Sequence, residues 1–309
     1  MCPFLASISA IFLCLCSSLS EAFAELSLVH GLVHGDPHAG NVYGRLARDE
    51  NRTGGEEDEN LMQARGGYSQ VVILDHGLYH KLGDRVRLCL CALIVACARP
   101  WPSSRRVRRL VTDFVVAVNA PSLPEGGKAA DTPTTARTLA AALLPALISP
   151  AFAFASVRGP KDLRALRAAS RGRLPEGTTL DDVWSTLVGL RGTPPKTAND
   201  DSEEDSESSS SSAALGLLHS MGYVRGLQNA LRLPEEYRVR ALVLAAERAL
   251  WKVERKTEGS GDNNGDAQLQ RKLWWAVFRV KALFFLLRVA FVLSRAFEWL
   301  GGFTLLNSR

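Results

Sequence analysis

Apolar positions fall into short runs in the first quarter of the chain and helix-length periodic stretches after it. Val42-Tyr43 and the run from Tyr68 to Leu74 are short and rich in β-branched residues, which predicts the two strands of a hairpin. Between them, 48–67 is rich in Gly, Glu, Asp and Asn, an insertion at the hairpin tip where added length costs little free energy. Residues 20–29 predict the end of a helix. Over 84–98, Val86, Leu88, Leu90, Leu93, Ile94 and Cys97 recur at helical spacing, with Asp84 as an acid in the first turn. Arg99-Pro100-Trp101-Pro102 stops that helix, and Ser103 or Ser104 caps a second one running to 120. Helices are also expected at 136–148, 161–169, 180–190, 214–231 and 234–253. An apolar, aromatic helix is expected at 273–300. The stretch 121–135 reads as a linker, the acidic-serine run 193–212 as disordered and 256–266 as a flexible break.

This pattern divides the chain into an apolar segment at 1–18 and a core over 19–190 carrying an insertion at 45–70. A disordered linker (191–213), a helical part of the same domain (214–255), a flexible linker (256–268) and a basic aromatic helix (269–309) follow. With 309 residues, 46% of them hydrophobic, the chain can bury a sizeable core. The formal charge of +5 is uneven: beyond residue 270, Arg271, Lys272, Arg279, Lys281, Arg288, Arg295 and Arg309 face only Glu298. That excess suits an anionic surface, while nothing resembles an RRM, KH or zinc-finger pattern, so no nucleic-acid partner is expected. Lys281, Arg288 and Arg295 recur every seven residues and form one stripe on a helix. No stretch reaches ~18 apolar residues, so a buried or a surface-lying helix is expected there rather than a spanning one.

None of the six cysteines forms a Cys-x-x-Cys pair, and Cys89, Cys91 and Cys97 sit in an apolar helical run, as buried thiols do. At the start, Phe4 to Leu19 is apolar and Ala22-Phe23-Ala24 looks like a signal-peptidase site. No Lys or Arg precedes the run, which favours a buried helix over a signal peptide.

The candidate chemistry lies in His34-Gly35-Asp36-Pro37-His38-Ala39-Gly40-Asn41, followed by Leu74-Asp75-His76-Gly77. Phosphoryl transfer needs a base beside the attacking group, and carboxylate and amide oxygens that hold Mg²⁺ on the nucleotide phosphates. Asp36 and Asn41 are five positions apart, the Asp-to-Asn step of the protein-kinase catalytic loop, and Asp75 follows an apolar run as a metal-loop Asp follows its strand. Asp-Pro and Gly-Asn are also common turn dipeptides, but the matched Leu-Asp-His-Gly argues against turn chemistry alone. His30, His34 and His38 recur every four residues, yet Pro37 and the intervening glycines break any continuous helix that would present a zinc site.

These residues resemble the UbiB family of atypical kinases, the aarF-domain-containing kinases, whose loop reads H-x-D-P-H-P-G-N, with L-D-H-G-L-Y following in one branch. Leu74-Asp75-His76-Gly77-Leu78-Tyr79 matches the second motif, Ala39 replaces a proline of the first, and Tyr223-Val224-Arg225-Gly226-Leu227-Gln228 looks like the family's C-terminal helical segment. The resemblance implies an α+β, mainly helical, kinase-like C-terminal lobe with a short hairpin. It implies that Asp36 orients or deprotonates the acceptor, that Asn41 and Asp75 coordinate Mg²⁺ on ATP, and that His34 and Gly77 brace the loops. No lysine precedes His34, so the family's phosphate-gripping strand lysine has no counterpart here, and the chain is expected to correspond to a C-terminal lobe. A foreign start over residues 1 to about 17 is part of that expectation. The resemblance also implies quinone or lipid metabolism beside a mitochondrial or plastid membrane, with membrane lipid or quinone-pathway proteins as partners.

Two other readings stay open. One is a non-catalytic, lipid- or partner-binding fragment. The other is a small-molecule kinase of the aminoglycoside or choline type, whose loop resembles H-G-D-x-H-x-x-N but usually lacks His-Gly-Leu-Tyr after the metal aspartate.

Overall fold

The computed structural model describes residues 17–47, 68–119, 143–159, 162, 209–230, 233–258 and 265–306. The apolar start at 1–16, the insertion at 48–67, the linker at 121–135, most of 161–169, the helix candidate at 180–190 and the acidic-serine run before 209 lie outside those residues. Among the described residues the protein is mainly helical with two small antiparallel ladders, the α+β character expected of a kinase-like fragment.

The first helix, α1 (17–24), buries Leu19, Phe23 and Ala24 and closes with a π-helical turn over Glu25–Val29. Gly31, at φ +71°, then redirects the chain into β1 (Leu32–His34). An added Cβ there would sit 3.2 Å from the Leu82 carbonyl oxygen, so both the dihedral and the space favour glycine. β2 (Val42–Ala47) pairs with β3 (Tyr68–Ile73), and outside this hairpin β1 pairs with β4 (Tyr79–Lys81). The registers Val42↔Ile73 and Leu32↔Lys81 make the two ladders concentric. The sequence predicts the inner hairpin alone. The outer ladder has three residues per strand, too few to show alternation, and its partners are far apart in the chain.

Three helices lie where the sequence predicts helices. α2 (Asp84–Cys97) buries Val86, Leu90, Leu93, Ile94 and Cys97 on one face, and α3 (Ser104–Asn119) buries Val107, Val111, Phe114 and Val118. After α4 (143–148) and α5 (Ser209–Ala230), α6 (Glu235–Glu258) brings Val239, Val243 and Ala246 onto the same core. Each fully buried leucine or phenylalanine there contributes about 1.5–3 kcal/mol of transfer free energy. The ends differ from expectation: α5 starts inside the acidic-serine run, and α6 runs five residues past 253. A helix nucleated by packing propagates into polar flanks at little further cost.

Arg87 ties α2 to the chain entering β1. Its guanidinium donates to the carbonyls of Leu28 at 3.0 Å and Val29 at 3.1 Å while pairing with Asp84 at 2.6 Å. That hydrogen bond and charge hold the Asp84 carboxyl below the usual range. Cys91 and Cys97 are free thiols whose pKa burial pushes up to about 12, which removes them from thiolate chemistry at neutral pH. Cys2, Cys14 and Cys16 lie outside the described residues.

The last helix, α7 (Gly265–Leu306), is longer than the predicted 273–300 and packs along α6 through Ala276, Val280 and Leu283. Arg279 pairs with Glu247, and Lys272 pairs with Glu254 while lying over the Trp251 ring at 4.5 Å. No helix among the described residues is long and apolar enough to cross a membrane.

Candidate functional site

The concentric ladders create the site. Between β1 and β2 runs the loop 35–41, and between β3 and β4 runs the loop 74–78, so the two stand opposite each other. Backbone hydrogen bonds close the gap at both ends. Gly35 N–H donates to the Leu78 carbonyl at 2.9 Å, and Leu74 N–H donates to the Asn41 carbonyl at 2.7 Å. Asn41 therefore lies directly beside the residue that precedes Asp75.

Within the first loop, side chains hold the main chain of Asp36 from both sides. Its N–H donates to His34 Nδ1 at 3.2 Å, and its carbonyl accepts from Asn41 Nδ2 at 3.1 Å. His34 is buried and Asn41 nearly so, whereas the Asp36 side chain is half-exposed. Two buried clamps thus present one accessible carboxylate. His34 Nε2 has no hydrogen-bond partner among the described residues, and the imidazole ring lies 6.0 Å from that of Phe23, 6.4 Å from that of His76 and 5.1 Å from that of Tyr79.

Asp75 adopts φ +52°, a left-handed conformation that Asp tolerates better than most residues because its short side chain bonds locally. Its Oδ1 accepts from Gly77 N–H at 3.0 Å, which shapes the second loop. Asn41 Oδ1 and Asp75 Oδ2 make no hydrogen bond among the described residues. Two hard oxygen donors on facing loops fit Mg²⁺ bound with the help of a ligand's phosphates. No group of three or more His, Cys, Asp or Glu that could hold a metal is assembled among the described residues. His30, His34 and His38 therefore do not converge.

Residues 12–101 match a family described as the ABC1 atypical kinase-like domain. Over 74 residues, 24% of its length, this chain is 36% identical to a probable serine/threonine-protein kinase, abkB, of Dictyostelium discoideum. It is also 36% identical over 76 residues to AarF domain-containing protein kinase 1 of Xenopus tropicalis, and 36% over 75 residues to the Mus musculus protein of that name. The aligned stretches span 8%, 12% and 11% of those three relatives, a small part of each. No solved structure matches the chain.

The matched segment contains residues whose place the sequence does not reveal. His38 Nδ1 accepts from Gly40 N–H at 3.0 Å, capping the short helical turn Ala39–Asn41 that delivers Asn41, and its Nε2 lies 3.8 Å from Asp36 Oδ2. Its position two residues before a backbone donor is the spacing of a side-chain cap, which is the signal that could have found it. His76 stacks on Tyr79, with Nδ1 2.8 Å from the phenolic oxygen, and burial raises the Tyr79 pKa. Gly35 is required by close approach: an added Cβ would lie 2.5 Å from Leu78 Cγ and 3.1 Å from His80 Nε2.

Proposed function

We propose that this atypical kinase-like chain carries a Mg-ATP site for phosphoryl transfer or ATP hydrolysis, with Asp36, Asn41 and Asp75 as its working residues. The observation that supports the reading is the pair of loops closed at both ends, in which the Asp36 side chain is half-exposed and Asn41 Oδ1 and Asp75 Oδ2 make no hydrogen bond among the described residues. Mg²⁺ bound with ATP would neutralise phosphate charge and make the γ-phosphoryl group transferable. The chain's own contribution is positional. Asp36, fixed through its main chain, would accept the proton of an attacking hydroxyl or water as the new bond to the γ-phosphorus forms and the γ-phosphorus–oxygen bond to ADP breaks, ADP leaving with its negative charge. Asn41 Oδ1 and Asp75 Oδ2 supply the metal-ligating oxygens, and His34 and His38 hold the loop that orients them.

Asp75→Asn tests the metal assignment, because the change removes charge while an amide oxygen still accepts from Gly77 N–H. Mg²⁺-dependent binding of an ATP analogue should weaken at least tenfold, with the helical circular dichroism spectrum unchanged. Equal affinity in parent and variant would remove Asp75 from the metal site. No Mg-ATP binding by the parent chain would favour the non-catalytic scaffold.

A role beside a membrane, in quinone or lipid metabolism, is what the family resemblance supports, and α7 offers the surface for it. Trp274, Phe278, Lys281, Phe285, Arg288 and Val292 fall at helical spacing on an exposed face of α7, with Trp274 63% and Phe285 65% exposed. An apolar stripe interrupted by long cationic side chains suits the headgroup level of an anionic bilayer. Arg288 also lies 3.6 Å from Glu236, and the side chain of Arg295 lies outside the described residues, so Lys281 is the freer cation of the predicted stripe. Vesicles containing phosphatidylserine should sediment the protein at low salt and release it at high salt. Lys281→Gln with Arg271→Gln should weaken binding by roughly 1 kcal/mol for each cation. Binding indifferent to vesicle charge and to both substitutions would show that the stripe does not read a charged surface.

A further inference from the structure

A cavity of about 880 Å³ opens beside the catalytic loop. Gly35, Pro37 and Ala39 form its wall on the loop side, while Gly222 and Gly226 of α5 form much of the opposite wall. Its size is that of a pocket for a small organic ligand, and its lining is mostly apolar. The glycines of α5 are what leave the space open: a Cβ added at Gly222 or Gly226 meets nothing within 4 Å.

Against that apolar lining stand His219, Tyr223 and Arg225. Arg225 differs from the other half-buried or buried arginines of the described residues. Arg87, Arg108, Arg238, Arg240, Arg255 and Arg279 each have an acidic partner. Arg225 has none among the described residues, although it is half-buried on the wall of a cavity. A partly desolvated guanidinium without a counter-charge is unfavourable, and its planar fork suits a carboxylate or phosphate. His219, edge-on to Tyr223 with centroids 4.7 Å apart, adds further donors on the same helix.

We infer that this cavity binds an anionic amphiphile, its apolar body along Gly222 and Gly226 and its carboxylate or phosphate group on Arg225. As the site of a phosphoryl acceptor it rests on the phosphotransferase reading, since Pro37 and Ala39 flank the Asp36 loop. As a binding site it does not depend on nucleotide.

Isothermal titration calorimetry of the full chain with monomeric dodecanoate, dodecyl phosphate, dodecanol and dodecylamine tests the inference. At least one of the two anions should bind tenfold or more tightly than the alcohol and the amine, and the tighter anion identifies the headgroup. Arg225→Gln should bring that anion to the affinity of dodecanol. Gly226→Leu, which fills open space and favours helix, should abolish both. Trp101→Ala should leave the affinities unchanged, because that residue is exposed and lies outside the cavity lining. Asp75→Asn should keep anion binding while losing Mg-ATP, so failure of one reading is visible apart from failure of the other. Anion affinity equal to that of dodecanol, insensitivity to Arg225→Gln, or binding that survives Gly226→Leu would overturn the assignment.

Discussion

Glu235→Ala should lower the free energy of unfolding by about 3 kcal/mol, measured as a shift of the urea midpoint. Glu235 opens α6 and joins two groups, one distant in sequence and one buried. Its carboxylate accepts from Ser149 Oγ at 2.9 Å and pairs with Arg238, whose guanidinium also donates to the Ile148 carbonyl at 2.9 Å. The Arg238 side chain is only 3% exposed, so removing its partner strands a charge in the core. Glu235 itself is 23% exposed, which places the expected cost at the lower end of the range for a broken buried pair. The double change Glu235→Ala with Arg238→Met should recover part of the loss, because no unpaired charge remains and methionine refills the space. A single-variant shift below about 1 kcal/mol would mean that water or Ser149 satisfies Arg238 without the carboxylate.

Asp36→Asn should reduce turnover by roughly 100- to 10,000-fold while leaving Mg-nucleotide affinity within about twofold. Both main-chain polar atoms of Asp36 are held by side chains, Nδ1 of His34 and Nδ2 of Asn41, so the substitution changes the proton acceptor without releasing the loop. An amide cannot take a proton from the attacking group, yet it occupies the same volume at a half-exposed position. The split between lost turnover and retained binding is what separates this role from that of Asp75, whose loss should weaken nucleotide binding itself. Turnover within about threefold of the parent would exclude Asp36 as the proton acceptor.

Much of this was legible from residue order because it depends on local chemistry. The periodic apolar positions of 84–98 specify one buried face of α2 wherever that helix lies. Pro100 and Pro102 end it because proline lacks the N–H a helix needs, and a serine opens α3 at the predicted place. The motif residues at 34–41 and 74–77 share that local character, since His34, His38, Asn41 and Asp75 bond to main-chain atoms two to five residues away, although the place of His38 was not read from the sequence. Periodicity failed on α7, which is apolar on both faces. There the choice of core face fell to Ala276, Val280 and Leu283, smaller than the tryptophans, which let α7 approach α6 closely.

By itself, the sequence determined where several helices lie, which residues carry a phosphoryl-transfer pattern, and that a cationic aromatic helix follows α6. Only the tertiary structure decided which of these meet. β1 and β4 pair across the intervening hairpin, and that outer ladder is what closes the two loops into one site. The association of Ser149 with Glu235 and the place of Arg225 on the cavity wall are likewise set by packing. The physical reason is the same in each case. A hydrophobic or charged side chain announces that it needs a partner, but the partner is chosen by distance in space, which residue order constrains only within a few positions along the chain.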